Sequence, residues 1–228
     1  MPAKSSAPVK AVFFDCDGTL IDTIPLVVAC KEHAFTMMGR EVPPRDELIE
    51  SIGIPIFEDI ANYFEGDDQN KYYEYYSEFQ TQHMNQHLGV FREAYRTVLE
   101  LWKMGIPLGV VTSRRRASTL QLLEMFHMKQ FFTVMVNAGD TEMSKPHADP
   151  LLEAVRRLNE TGMLLETIMP EDTVYIGDAH HDVGTANAAN ARAVLVEWTN
   201  MPERVLEGLE FEATLHNHRQ ILDDLGLS

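Results

Sequence analysis

Residues with chemical potential recur in this chain where apolar runs stop. The run 11–14 ends in Asp15-Cys16-Asp17-Gly18-Thr19, and the run 107–111 ends in Thr112-Ser113-Arg114. Lys145 precedes Pro146 in a polar loop after a third run, and 173–177 ends in Asp178, with Asp182 four residues on. Brought to one edge, four carboxylates repel one another. A hard divalent cation with oxygen ligands relieves that repulsion, Mg²⁺ being the usual choice in phosphate chemistry, and a nearby lysine neutralises more charge. Alternation along an extended chain puts Asp15 and Asp17 on one side, so that one can attack while the other handles protons. Gly18 lets the chain turn sharply and its backbone approach a ligand, and the N–H groups of such a turn make an anion nest. A carboxylate nucleophile beside a general acid is a route to an aspartyl-phosphate.

The elements that must position these residues are legible in the pattern of apolarity. Short runs at 11–15, 107–112, 132–137, 173–178 and 193–197 are apolar on both faces and end abruptly in polar residues, as buried parallel strands do. Helical patterns at 95–104, 117–126, 150–159 and 182–190 separate them, and Asp149-Pro150 reads as an N-cap followed by a first-turn proline. The alternation implies a doubly wound α/β core, in which ligands bind at the carboxyl ends of the strands. Residues 23–88 break the pattern. Helices are expected there at 25–38, 45–51, 56–64 and 67–87, with a loop at 52–55, which makes an all-helical insertion. The expected division is a core of 1–22 and 89–228 and a helical domain of 23–88. A last edge strand is expected at 211–215 and a short helix at 218–225. The stretch 159–172 is a long helix–strand link to which no function attaches.

With these residues in hand, a family resemblance appears. Asp15-Cys16-Asp17-Gly18-Thr19-Leu20 resembles the DxDGT signature of the haloacid-dehalogenase superfamily. Thr112 or Ser113 after an apolar strand, Lys145-Pro146, and Gly177-Asp178-Ala179-His180-His181-Asp182 resemble its second, third and fourth motifs, in order, over 12–198. The helical insertion and the stretch 145–150 resemble phosphoglycolate-phosphatase-like members. The resemblance implies a Rossmann-like core with a helical cap, and a Mg²⁺-dependent phosphatase acting through an aspartyl-phosphate. It implies Asp15 as nucleophile and metal ligand, and Asp17 as acid, then base, with its backbone carbonyl on the metal. Thr112, Ser113 and the Arg114 amide would hold the phosphoryl oxygens. Lys145 would balance charge, Asp178 would bind the metal directly, and Asp182 would do so through water while helping to cap its helix. The cap would close over a small phosphorylated metabolite, with phosphoglycolate the substrate by resemblance, hinges near Thr23 and Gly89, and Arg40, Arg45 and Lys71 as cap contacts. Ala179 stands where many relatives have Ser or Thr, and His180-His181 add bulk to a loop that is often small.

Rival readings stay open at this point. A sugar-phosphate mutase shares the two aspartates, but such mutases carry an Arg shortly after the cap glycine, where Gly53 is followed here by Ile54-Pro55-Ile56. Asp17 argues against a dehalogenase. A pyrophosphatase is a further alternative, and a non-catalytic phospholigand-binding or interaction protein comes from another class. The composition narrows partners. Lys and Arg number 19 against 35 Asp and Glu, a net charge of −16, which repels nucleic acid and anionic membranes. It repels a phosphorylated substrate too, unless a local cation offsets it. Two cysteines make neither a zinc cluster nor a disulfide framework, and Cys16 reads as filler. No run approaches the ~20 apolar residues of a membrane span, and the N-terminal stretch lacks the apolar run of a secretory signal. The expectation is a cytoplasmic monomer or homodimer. His180-His181 and the 216–218 stretch read as solvated, 114–116 as a substrate contact or a solvated helix start, and the tyrosines at 72, 73, 75 and 76 as packing residues.

Overall fold

The computed structural model describes residues 9–198, 210, 211, 213–215, 220 and 222. Six parallel strands form the main sheet: β1 (Ala11–Phe14), β4 (Leu108–Val111), β5 (Val134–Val136), β6 (Thr173–Gly177), β7 (Arg192–Val196) and β8 (Ala213–Leu215). Their order is β5-β4-β1-β6-β7-β8. The chain builds outward from β1 through β4 to β5, then crosses back to β6 on the other side. Order therefore reverses at β1, and the crevice beyond its carboxyl end is the switch point where such folds bind ligands.

Alternation sorts β1 between two cores. Val12 and Phe14 face α5 (Arg92–Lys103) and α6 (Arg116–Met125), while Ala11 and Phe13 face α7 (Asp149–Glu160) and α8 (His180–Ala188). The helices bury stripes at helical spacing: Ala94, Thr97, Val98 and Leu101 on α5, and Leu151, Ala154, Val155 and Leu158 on α7. On β4, a Cβ at Gly109 would stand 2.5 Å from the Phe13 ring, so only glycine admits that ring across the strand pair. Helix α7 starts one residue earlier than its sequence suggests. Ala148 is the N-cap, and Asp149 lies inside the first turn, where its charge meets the helix dipole without a capping bond.

Between β1 and α5 stand four helices: α1 (Ile24–Met37), α2 (Arg45–Glu50), α3 (Ile56–Ala61) and α4 (Asp67–His87). They pack around Phe35, whose ring centre lies 5.1–5.6 Å from those of Tyr63, Phe64 and Tyr72. Tyr72 and Tyr76 are buried, as packing residues should be. The two chain crossings into this unit pair as a short antiparallel ribbon, β2 (Ile21–Asp22) with β3 (Gly89–Val90). No pattern in the sequence marks it, because two residues are too few to show a period. Of the expected final helix, only residues 220 and 222 are described, both helical. His216, Asn217 and His218 lie outside the described residues.

Candidate active site

The strand ends deliver the expected residues to one crevice. Asp15 follows β1, Thr112 follows β4 and Asp178 follows β6, all of them buried. Asp15, Asp178 and Asp182 each offer a carboxylate oxygen within 4.8 Å of the others. The loop before α7 supplies Lys145, whose Nζ lies 2.8 Å from Asp15 Oδ1 and 2.7 Å from Asp182 Oδ1. Gly18 has φ +74°, and a Cβ there would stand 2.0 Å from Asp178 Oδ2. The turn is thus closed to any other residue, and the carboxylate of Asp178 fills the space a side chain would take.

Asp182 is the most heavily engaged carboxylate. Its Oδ2 accepts the N–H groups of Asp178 and Ala179, at 3.2 and 3.1 Å, which caps α8 as expected. Its Oδ1 accepts from Lys145 and lies 2.9 Å from the Tyr175 hydroxyl. Burial pushes Asp182 up, but Lys145 and these hydrogen bonds outweigh it and hold the carboxyl below the usual range. Asp15 goes the other way. Burial raises it to about 7, Asp182 and Asp17 adding to the rise and Lys145 opposing it.

Asp17 turns to different partners. The Arg114 guanidinium grips it through two nitrogens, and Thr23 Oγ1 donates to it at 2.5 Å. Burial pushes Asp17 up, yet Arg114 and Thr23 prevail and keep it ionised below the ordinary value. Arg114 also donates to Ser118 Oγ at 2.7 Å, and its backbone N–H donates to Thr112 Oγ1 at 3.2 Å. The reading of Arg114 as a solvated helix start is therefore corrected: only 10% of its side chain is exposed. A cavity of about 90 Å³ opens above these groups, lined by Asp15, Asp17, Thr112, Ser113 and Arg114 from the strand ends and by residues of α1, α3, α4 and the loop at 51–54. That is room for a compact ligand.

Several neighbours escaped the sequence reading. Thr19 Oγ1 donates to Asp178 Oδ1 at 3.2 Å. Tyr175 sits mid-strand, and its hydroxyl is shared between Asp182 and the Val111 carbonyl oxygen, 2.8 Å away. A polar tip on an otherwise apolar strand was the available signal. Lys31 and Asp59 form a buried pair at 2.7 Å on the helical side of the cavity, supported by Ser51. A lysine among Val27, Cys30 and Ala34 was the corresponding clue. The cap contacts expected of Arg40, Arg45 and Lys71 are not brought to the cavity. Arg40 lies over the Phe64 ring, Arg45 is 4.0 Å from Glu32, and Lys71 is exposed. His181, expected in solvent, is buried against the Gly53 turn, and burial lowers it to about 4. Cys16 and Cys30 are buried, and burial raises both thiols, Cys30 to about 12, so neither is a ready nucleophile.

Known proteins share this frame. The family model described as haloacid dehalogenase-like hydrolase matches residues 12–196. The pyrophosphatase PpaX of Bacillus mycoides (strain KBAB4) is 29% identical over 214 residues, covering 94% of this chain and 95% of that protein. Among solved structures, a candidate haloacid dehalogenase-like hydrolase from Bacteroides fragilis superposes with a TM-score of 0.81 at 24% identity, covering 93% of this chain and 99% of its own. A candidate phosphoglycolate phosphatase from Lactobacillus plantarum gives 0.80 at 21% identity, over 95% and 99%. Among the described residues, no helix is long and apolar enough to cross a membrane.

Proposed function

Because the chain belongs to the haloacid dehalogenase-like hydrolases, we propose that it is a Mg²⁺-dependent phosphatase that hydrolyses a small phosphorylated metabolite through an aspartyl-phosphate on Asp15. One observation carries the reading: Asp15 is buried, ion-paired to Lys145, beside Asp178 and Asp182, and open to the same cavity as Thr112 and Arg114. The donor set fits a hard cation. Three carboxylates lie within reach of one another, Asp15 is raised by burial with Asp182 and Asp17 adding to the rise, and the Gly18 turn leaves room for the Asp178 carboxylate. Asp15, Asp178 and the Asp17 backbone carbonyl would hold Mg²⁺, with Asp182 reaching it through water because its own oxygens are engaged. When bound, the ion would neutralise charge on the phosphoryl oxygens.

Asp15 attacks phosphorus, its oxygen bonds to the phosphoryl group, and the bond to the leaving oxygen breaks. Thr112, Ser113 and Arg114 hold the transferring oxygens, and Lys145 offsets the charge beside Asp15. Asp17, protonated from water once it leaves Arg114, gives that proton to the leaving oxygen and then takes one from the attacking water, whose oxygen bonds to phosphorus as the bond to Asp15 breaks, which restores Asp15. To act as an acid, Asp17 must first part from Arg114, which an incoming phosphoryl group can draw away as a competing anion. Residues 23–88 act as a cap hinged at the β2–β3 ribbon, near Thr23 and Gly89, that excludes water when closed. The setting proposed is cytoplasmic.

The substrate named by resemblance is phosphoglycolate or a kindred monoester. Pyrophosphate is a second reading, favoured by the name of the curated relative. The mutase reading is disfavoured because the cavity wall after Gly53 is apolar at Ile54 and Ile56. The test is phosphate release from a panel of monoesters, pyrophosphate and hexose 1-phosphates, with Mg²⁺ and with EDTA, for the native chain and Asp15→Asn. Metal-dependent release that vanishes in the variant supports the reading. Release that survives in the variant, or none from any compound, defeats it.

A further inference from the structure

The cations at this site are spoken for, with one exception. Lys145 bridges Asp15 and Asp182, Arg114 grips Asp17, and Lys31 pairs with Asp59. Arg115 lines the same cavity and is exposed, and among the described residues no carboxylate lies within ion-pair distance of it. It faces two aromatic rings instead. Its guanidinium carbon lies over Phe57 and over Tyr73, 5.0 Å from each ring centre, and those rings are 4.9 Å apart. Phe57 belongs to α3 and Tyr73 to α4, whereas Arg115 is the N-cap of α6 in the core. The contact therefore spans the seam between the helical unit and the sheet. A guanidinium against aromatic faces is held in place by its charge and flat shape, and its N–H donors stay available to a planar or tetrahedral anion. In a chain of net charge −16, a positioned cation with unspent donors is a receptor for negative charge.

We propose that Arg115 is a specificity-determining residue that binds a second anionic group, a carboxylate or a phosphoryl group, carried on the leaving part of the substrate. This rests on the reading of Asp15 as phosphoryl acceptor: with the transferred group seated at the strand ends, the rest of the substrate extends toward the seam that Arg115 occupies. The substrate class is then a phosphate ester or anhydride with two anionic ends, and an uncharged leaving group leaves Arg115 unused.

The test is calorimetric binding to the full chain, with Mg²⁺ present, of phosphonoacetate, methylenediphosphonate and methylphosphonate. The first two carry a second anion and the third does not. A charge-assisted contact implies that the native chain binds the better two-anion probe about tenfold or more tighter than methylphosphonate. Arg115→Met keeps an apolar stem against the rings and removes the charge, so the ratio should fall to about threefold or less. Arg115→Gln is the second charge-free variant should the first fail to fold, and Arg115→Lys should recover part of the ratio. Phosphonoacetate as the tighter probe identifies a carboxylate, and methylenediphosphonate a phosphoryl group. A native chain without preference, a ratio that survives loss of the charge, or an equal loss for all three probes overturns the proposal, the last leaving Arg115 as a clamp between cap and core. Binding is read without turnover. A panel that releases no phosphate while the ratio still depends on Arg115 therefore defeats the hydrolase reading and not the receptor.

Discussion

Replacing the proposed nucleophile should make the metal-free protein more stable at alkaline pH. Asp15 is buried and raised from 3.8 to about 7, which means that the folded state holds its proton more tightly than the unfolded chain does. For a group raised in this way, the stability it contributes is fully present below 3.8 and is lost as pH climbs toward about 7. That interval, at about 1.36 kcal/mol per pH unit, amounts to roughly 4 kcal/mol. Asp15→Asn substitutes a neutral side chain of the same shape that still accepts from Lys145 but attracts it less, so the expected gain is about 2–4 kcal/mol at pH 8 and small near pH 4.5. Urea unfolding in EDTA at several pH values, with the slope of free energy against denaturant shared by both proteins, measures the difference. Asp17 and Asp182, which are lowered and so lose their contribution as pH falls, titrate in both proteins and largely cancel. Saturating Mg²⁺ should erase the advantage, because the ion stabilises the native carboxylate by mass action. An Asp15→Asn variant less stable than the native protein at pH 8 without metal, or a gap independent of pH, would refute the argument that a buried carboxylate strains this cluster.

Other perturbations test the supports of the site. Tyr175→Phe removes a buried hydroxyl from Asp182 and the Val111 carbonyl without opening a cavity, and should cost about 1.5–3 kcal/mol in urea unfolding. Gly18→Ala places a methyl group 2.0 Å from Asp178 Oδ2 at φ +74°, so it should weaken the Mg²⁺-dependent rise in melting temperature while far-ultraviolet circular dichroism reports a folded chain. Lys31→Met strands Asp59 in the helical unit and should cost about 3–5 kcal/mol, whereas Lys31→Met with Asp59→Leu should cost markedly less. A double-mutant cycle showing simple additivity would count against the pair as a buried ion pair.

What the sequence made legible follows from what each residue depends on. Asp15, Thr112 and Asp178 owe their place to strand ends, and apolar runs that stop at a polar residue mark strand ends directly. Their convergence then follows from topology alone. Asp182 was legible twice, as a helix cap and as a member of the cluster, because four residues of separation already fix it beside Asp178. The Arg114 side chain was not, since its grip on Asp17 joins positions 97 apart and depends on a rotamer that no local pattern encodes. The same holds for Arg40, Arg45 and Lys71. Their helices were readable, but which way a charged side chain turns depends on how the helical unit docks on the sheet. His181 reads as polar and loop-borne, yet the Gly53 turn packs over it and takes it out of water.

The pairing of charges at the site has a consequence for how a ligand enters. Both acids that follow the first strand face a cation: Asp15 faces Lys145, and Asp17 faces Arg114. These pairs are buried, and separating either without replacement leaves a charge in a poor solvent, which is costly. A lone anion therefore cannot take Arg114 from Asp17 cheaply, whereas a metal on the carboxylates adds positive field that the anion can use. Arriving together, they offset each other: the phosphoryl group supplies Arg114 with a new anion while the cation supplies the carboxylates with a new counter-charge. On the proposed reading, a bound metal and a bound phosphoryl group are therefore mutually stabilising partners, each raising the affinity of the other by the same factor.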